Sequence, residues 1–318
     1  VRRGLARVLA ALSLAALAGC SGAEAAITPP PGVPEPATCG KVNIASNPWS
    51  GYAADLAVVS YLLKTELGCQ VAPVKLSETA SWAGLSDGSI DVILENWGHD
   101  DLKRKYIDGQ KVAVELGLTG NKGVIGWYVP PWMAEEYPDI TDWTKLNDRI
   151  SLFKTSKSGD KGQFLAGDAS FVTNDAALIT NLKLDYTVVY TGSEAKLIAA
   201  FRQAEEDRTP LLGYFYEPQF ALSDVQPVRI PLPAYKPGCD TVVDKVACDY
   251  PKYDLDKVAR KAFVDSGSAA ATFIKNWTWT NADQNAVAKD MVQNHLSADA
   301  AAKKWADAHR DTWEGWLR

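Results

Sequence analysis

Residues 41–97 read KVNIASNPWSGYAADLAVVSYLLKTELGCQVAPVKLSETASWAGLSDGSIDVILENW, and this stretch decides the fold class. Lys41 to Ser46 alternates apolar and polar side chains as a strand does, and Tyr52 to Leu67 then sets Leu56, Val59, Leu62 and Leu63 at helical spacing. Val71 to Leu76 predicts a second strand, Ser81 to Leu85 a short helix, and Ile90 to Leu94 a third strand. Strands alternating with helices imply a largely parallel α/β sheet.

The same rhythm returns downstream. Gly123 to Val129 predicts a strand, and Pro130-Pro131 ends it because proline donates no ladder hydrogen bond. Asp142 to Leu146 predicts a capped helical turn and Ile150 to Phe153 a strand, whereas Lys154 to Asp175 is polar, Gly-containing and aperiodic, and reads as a loop. Val188 to Tyr190 and Leu211 to Phe215 bracket a helix from Glu194 to Ala204. Val228 to Leu232 is a further expected strand, followed by helices near 262–274, 282–294 and 298–308. The reading is two α/β lobes between which the chain crosses more than once. Residues 40–126 and 228–318 form lobe 1, residues 127–227 form lobe 2, and a ligand cleft lies between them.

The N-terminal stretch reads differently. Arg2 and Arg3 precede an almost wholly apolar run from Leu5 to Ala18, and Leu17-Ala18-Gly19-Cys20 closes it. The run is too short to span a membrane as a mature helix, and it resembles a bacterial lipoprotein signal. The resemblance implies a signal peptide over 1–19, lipidation of Cys20 and an extracytoplasmic protein held to the bacterial cell membrane by its acyl chains. Residues 20–38, with Pro29-Pro30-Pro31, predict a semi-extended tether. About 280 residues remain, enough for two cored lobes.

Net charge is −6 and spread along the chain, which argues against nucleic acid as a partner. Five cysteines become four once Cys20 carries lipid, and an even count in an exported chain favours two disulfides. Three pairings are formally open. The local one, Cys39 with Cys69 and Cys239 with Cys248, closes small loops and is the expected one. Zinc is the competing use of these cysteines, but neither pair has CxxC spacing and the three histidines lie far off in sequence.

The chemistry-bearing residues are aromatic. Asn47-Pro48-Trp49 follows the first strand, Glu95-Asn96-Trp97-Gly98 the third, and Gly213-Tyr214-Phe215-Tyr216-Glu217-Pro218 ends a strand before a turn. Trp127 lies within a strand and Phe171 in the polar loop. Each ring taken alone also reads as packing. Together, Trp49, Trp97, Tyr216, Trp127 and Phe171 form a candidate cage for a quaternary ammonium, whose methylated cation is held by ring faces at about 0.5 to 2 kcal/mol each. A zwitterionic ligand also needs donors, for which Lys154, Lys157, Lys161, Ser156 and Ser158 are candidates, or else this segment is a solvated loop. Glu95, Asp100 and Glu217 instead favour a ligand of net positive charge.

NPWSGY at 47–52, DVILENWGHDD at 91–101, GVIGWYVPPWMAEEYP at 123–138 and GYFYEP at 213–218, in that order, resemble the glycine betaine/choline-type substrate-binding proteins of ABC importers. The likeness runs from about residue 40 to the C-terminus, where Trp313-Glu314-Gly315-Trp316 also fits. It implies a type II periplasmic-binding fold closing on a trimethylammonium group, a monomer that delivers its ligand to ABC permease subunits, and no cofactor or nucleotide site of its own. By motif, Trp97 takes the family's Asn-Trp position, Tyr216 stands where members often have Trp, and Trp49 matches the Trp of choline-binding members. Two departures follow. Gly51 stands where choline-type members tend to carry Asp, and Phe171 stands in the middle loop, where some betaine-type members have Trp.

Enzyme readings are weak. His99 beside Asp100 suggests acid–base work, but GxSxG and an oxyanion motif are missing, and GDKGQ at 159–163 is not a P-loop. The expectation is a non-enzymatic receptor for glycine betaine or a related quaternary ammonium. The same fold binding choline, carnitine, a guanidinium compound or a polyamine is the alternative, and a lipid-anchored hydrolase is a more remote one.

Overall fold

The computed structural model describes residues 39–318; the expected signal segment 1–19, tether 20–38 and lipidation site Cys20 lie outside the described residues. Nine strands form one mixed sheet: β1 (Lys41–Ser46), β2 (Gln70–Lys75), β3 (Val92–Asn96), β4 (Ala113–Val129), β5 (Gly162–Ala166), β6 (Tyr186–Tyr190), β7 (Gly213–Glu217), β8 (Val228–Ile230) and β9 (Lys252–Arg260). Their order is β2-β1-β3-β9-β4-β7-β5-β6, with β8 joined to β4. At one end β1 pairs in parallel with β2 and β3, as the strand–helix–strand spacing of residues 41–97 requires. At the other end β5 pairs in parallel with β6 and β7.

The two ends are joined by β4 and β9, which run antiparallel over most of their length. β4 has 17 residues, far longer than the expected Gly123 to Val129. Its first part, from Ala113, pairs with β9, and from Val124 to Tyr128 it pairs with β7 instead. The register of β4 against β9 shifts twice between Glu115 and Lys122, so the strand bends where it passes from one half to the other. The expected border at 227/228 assigns Val228–Ile230 to the first half. That strand pairs with Trp127–Val129, continuing the edge that β9 leaves free.

Two further expectations are corrected. Ile150–Phe153 is a helical turn rather than a strand, because its apolar residues continue a 3₁₀ run over Trp143–Arg149 that Asp142 caps by accepting the Thr144 amide at 3.0 Å. The expected loop of 154–175 contains β5, whose five residues are too few to display an alternation. β9 (KYDLDKVAR) had no apolar signature either, since Asp256 and Lys257 are buried in its middle.

The first-half core lies between the sheet and a helical layer. The helix Ser50–Leu67 packs on the sheet with one face and on the helices Asn281–Val292 and Ala298–Ala308 with another. It therefore buries Tyr52, Val58, Val59, Leu62 and Leu63 around much of its circumference. In the second half Trp127, Phe164, Phe201 and Phe215 are almost wholly buried. Disulfides join Cys39 to Cys69 and Cys239 to Cys248, the local pairing. Among the described residues no helix is long and apolar enough to cross a membrane.

Candidate functional site

Trp49 follows β1 and is the residue from which the helix Ser50–Leu67 starts, with an extended backbone. The side chain of Asn47 ties this loop down by donating to the Leu76 carbonyl at 2.8 Å and the Ser81 hydroxyl at 3.0 Å. Trp97 follows β3 directly. Glu95, two residues earlier on that strand and 2% exposed, accepts both indole N–H groups on its Oε1, from Trp49 at 2.7 Å and from Trp97 at 2.7 Å. Its Oε2 accepts from the Gln284 amide. One carboxylate thus fixes two tryptophans that lie 48 positions apart in the chain, and the two charge-assisted bonds also polarise the indoles toward greater electron density.

Three more rings close the circle. Phe171 meets Trp49 edge-on at a centroid distance of 6.0 Å and lies 6.3 Å from Tyr214. Tyr214 lies 5.9 Å from Tyr216, its neighbour on the same face of β7, and Tyr216 meets Trp97 edge-on at 5.7 Å. Trp49, Phe171, Tyr214, Tyr216 and Trp97 therefore form a loop of rings that Glu95 completes. They line a cleft together with Glu78, Ile125 and Val172. β1 and β3 of one half and β5 and β7 of the other all point their carboxyl ends at it, the usual place for a ligand in an open α/β sheet.

Trp97 also sets a steric condition on the opposite strand. A Cβ on Gly123 would stand 2.6 Å from Cζ3 of Trp97 and 3.1 Å from Leu255, so the ring rests on a bare backbone. Gly123→Ala is expected to push Trp97 out of place and to weaken ligand binding roughly tenfold, at a stability cost of about 1–3 kcal/mol. Fluorescence titration checks this, and unaltered affinity would show that the ring can shift without consequence.

Two carboxylates beneath the rings have shifted pKa values. Burial, with the charge of Glu95 beside it, pushes the Asp55 carboxyl well above the usual range, against the donation from Gln284 at 3.1 Å. Burial also raises Glu194, although Tyr216, Ser50 and Gln219 all donate to it and act the other way. Desolvation disfavours the His99 imidazolium, yet its bond to Glu78 and the charges of Glu78, Asp101 and Asp256 outweigh that and raise its pKa. The partner of His99 is thus Glu78, not the adjacent Asp100.

Of the five sequence candidates, four line the cleft: Trp49, Trp97, Tyr216 and Phe171. Trp127 does not. It stands opposite Tyr214 in the second-half sheet but is fully buried, packs on Phe164 at 4.6 Å and donates to Asp175 at 2.7 Å. The lysine segment is also displaced from the site. Lys154 to Lys161 precede β5, at the strand end away from the cleft, and Lys161 pairs at the surface with Asp185. Glu217 is exposed, and Asp100 lines a neighbouring cavity of about 320 Å³ that shares Trp97 and Val172 with the cleft. Tyr214, Glu78, Ile125 and Val172 were missed. Tyr214 alone carried a signal, its period-two spacing from Tyr216 on a strand. Gly51 has its own reason: a Cβ there would lie 3.1 Å from the Gln284 amide that reaches Glu95, so Gln284 fills the space an Asp would need.

Such a cleft between two strand-ended halves, lined by rings and lacking any Lys or Arg among its eight lining residues, defines a solute-binding α/β protein. Residues 40–308 match the family described as the substrate binding domain of the ABC-type glycine betaine transport system, and the chain belongs to that family. A trimethylamine N-oxide-binding protein from Pelagibacter ubique (strain HTCC1062) is 27% identical over 197 residues, 58% of this chain; the chain spans about 61% of that relative's length. Lactococcal OpuAC in a closed form with glycine betaine superposes with a TM-score of 0.68 at 19% identity, over 88% of this chain and 100% of that one. An ABC-transporter choline binding protein in complex with choline gives 0.71 at 16% identity, over 88% and 92%. The protein accordingly has the two-lobed α/β fold of periplasmic binding proteins.

Proposed function

We propose that this chain is an extracytoplasmic receptor that captures a small quaternary ammonium compound in the cage of Trp49, Trp97, Tyr216, Tyr214 and Phe171 and presents it to the permease of an ABC importer. The observation that carries the reading is the ring of five aromatic side chains closed by Glu95. A methylated cation offers no N–H to an ion pair, so ring faces are its natural partners, and a buried carboxylate within reach balances its charge. The surplus of acid around the cleft favours a ligand of net positive charge over a zwitterion. A trimethylammonium head is common to choline, glycine betaine and trimethylamine N-oxide, so all three belong in the test.

In this reading the lobes are divided where β4 and β9 bend, near residues 118–124 and 252–256. Closure buries the ligand and creates the surface a permease recognises, a shift driven by tighter binding in the closed state. The chain performs no catalytic step, acts as a monomer and is held to the membrane through lipid on Cys20. The test is a thermal-shift screen of the mature protein against tetramethylammonium, choline, glycine betaine, trimethylamine N-oxide, carnitine and arginine. A ligand at 100 times its Kd stabilises by about 2.7 kcal/mol, about 4–5 °C for a domain of this size. If arginine shifts the protein and every methylated amine fails, the cage reading falls.

A further inference from the structure

Apart from the Tyr214 hydroxyl, the side-chain donors lining the cleft are already engaged, and engaged by carboxylates of the protein itself. Both indole N–H groups go to Glu95, and the Tyr216 hydroxyl goes to Glu194. Glu194 starts the helix Glu194–Glu206 in the second half, and its carboxylate reaches across to the first turn of the helix Ser50–Leu67. There its Oε2 accepts the Ser50 amide at 2.9 Å, and its Oε1 accepts the Ser50 hydroxyl at 3.1 Å, the Gln219 amide at 2.6 Å and the Tyr216 hydroxyl. Four donors at the positive end of an 18-residue helix make a seat for one carboxylate, directly beside the aromatic loop because Tyr216 belongs to both. That seat is filled by the protein. Tyr214 is the one lining residue whose polar group has no side-chain or backbone hydrogen bond to the protein, and it is neutral.

We propose that Glu194 determines specificity by occupying the anion seat of the ligand cleft, so that quaternary ammonium ligands bearing a carboxylate are rejected and those with a neutral or no polar end are accepted. The proposal rests on the quaternary-amine reading above. A ligand carboxylate entering this cleft would have to displace Glu194 from four hydrogen bonds or lie beside it, where like charges repel. A hydroxyl-bearing ligand meets no such cost and can bond to Tyr214 or to the carboxylate of Glu78. Because Glu194 and Ser50 are on opposite halves, the same bonds could serve only to hold the halves together, and the two roles differ in outcome. A latch affects every ligand alike; a filled seat affects one class.

The experiment is calorimetric titration of the wild-type protein and of Glu194→Ala and Glu194→Gln with tetramethylammonium, choline and glycine betaine, with melting curves to establish that each variant folds. The wild type is expected to bind tetramethylammonium and choline at least about tenfold tighter than glycine betaine. In Glu194→Ala the vacated donors should raise glycine betaine affinity about tenfold or more while tetramethylammonium stays within about threefold. Glu194→Gln, which keeps the shape and drops the charge, should move glycine betaine in the same direction. Equal affinity for choline and glycine betaine in the wild type, or a parallel loss for all three ligands in both variants, overturns the inference alone. No binding of tetramethylammonium or choline to the wild type overturns the quaternary-amine reading beneath it.

Discussion

Glu95→Gln is expected to lower affinity for tetramethylammonium by roughly 30- to 150-fold, about 2–3 kcal/mol, while leaving the protein folded. Glu95 is the acceptor for both cage indoles at 2.7 Å and for Gln284 on its other oxygen, so three donors converge on it. An amide in its place has one oxygen and one NH₂. Either orientation sets that NH₂ against a donor, the Gln284 amide in one case and two indole N–H groups in the other. One or both rings lose their anchor, and the negative charge behind the two indoles is lost. Stability should change little, because removing the charge also relieves its repulsion of the buried Asp55 carboxyl beside it. Calorimetry and a melting curve on the same sample check both halves of the statement. Affinity within threefold of wild type would mean that packing alone orients the tryptophans.

The Cys39→Ser/Cys69→Ser double variant is the second large effect, on stability. The bridge joins residues 30 apart, closing a loop that runs from the start of β1 through the helix Ser50–Leu67 to the edge of β2. Loop-closure entropy for that span is worth about 3.6 kcal/mol, near 6 °C in Tm for a domain of about 280 residues. Cys239 and Cys248 are only 9 apart, which gives about 2.6 kcal/mol by the same relation. Denaturant unfolding of both double variants should rank them in that order. The reverse ranking would mean that strand β1 is held by its sheet neighbours well enough to make the crosslink redundant.

The parts of the fold legible in the sequence were those with strong local periodicity. β1, the helix Ser50–Leu67, β2 and β6 carry their pattern within a dozen or so residues, and so does the helix Ala298–Ala308. β9 did not, since Lys257 sits in its buried stretch and is tolerated there by donating to the Lys275 carbonyl at 2.9 Å and to that of Trp277. The first half of β4 was equally hidden: Gly117, Gly120 and exposed Glu115 and Leu118 break the alternation where the strand bends between halves. The aromatic site was largely visible, because a ring directly after a strand faces the sheet's end whatever the partner. Trp127 misled because it shares a strand face with Ile125, a lining residue, yet its indole packs on Phe164 and donates to buried Asp175 instead of reaching the cleft.

The sequence by itself determined the alternation of strands and helices, the four local cysteines and the placement of Trp49, Trp97, Tyr214 and Tyr216 at strand ends, since each depends on neighbours a few positions away. Tertiary structure alone decided which groups hold those rings and which charge they face. Glu95 links residues 49 and 97, and Glu194 reaches Ser50 across 144 positions, so both contacts arise from how the two halves meet. Hydrogen bonds of that kind leave no periodic trace in a chain, because their geometry is set by the register of the sheet and the bend of β4 and β9 rather than by any local preference of the residues that make them.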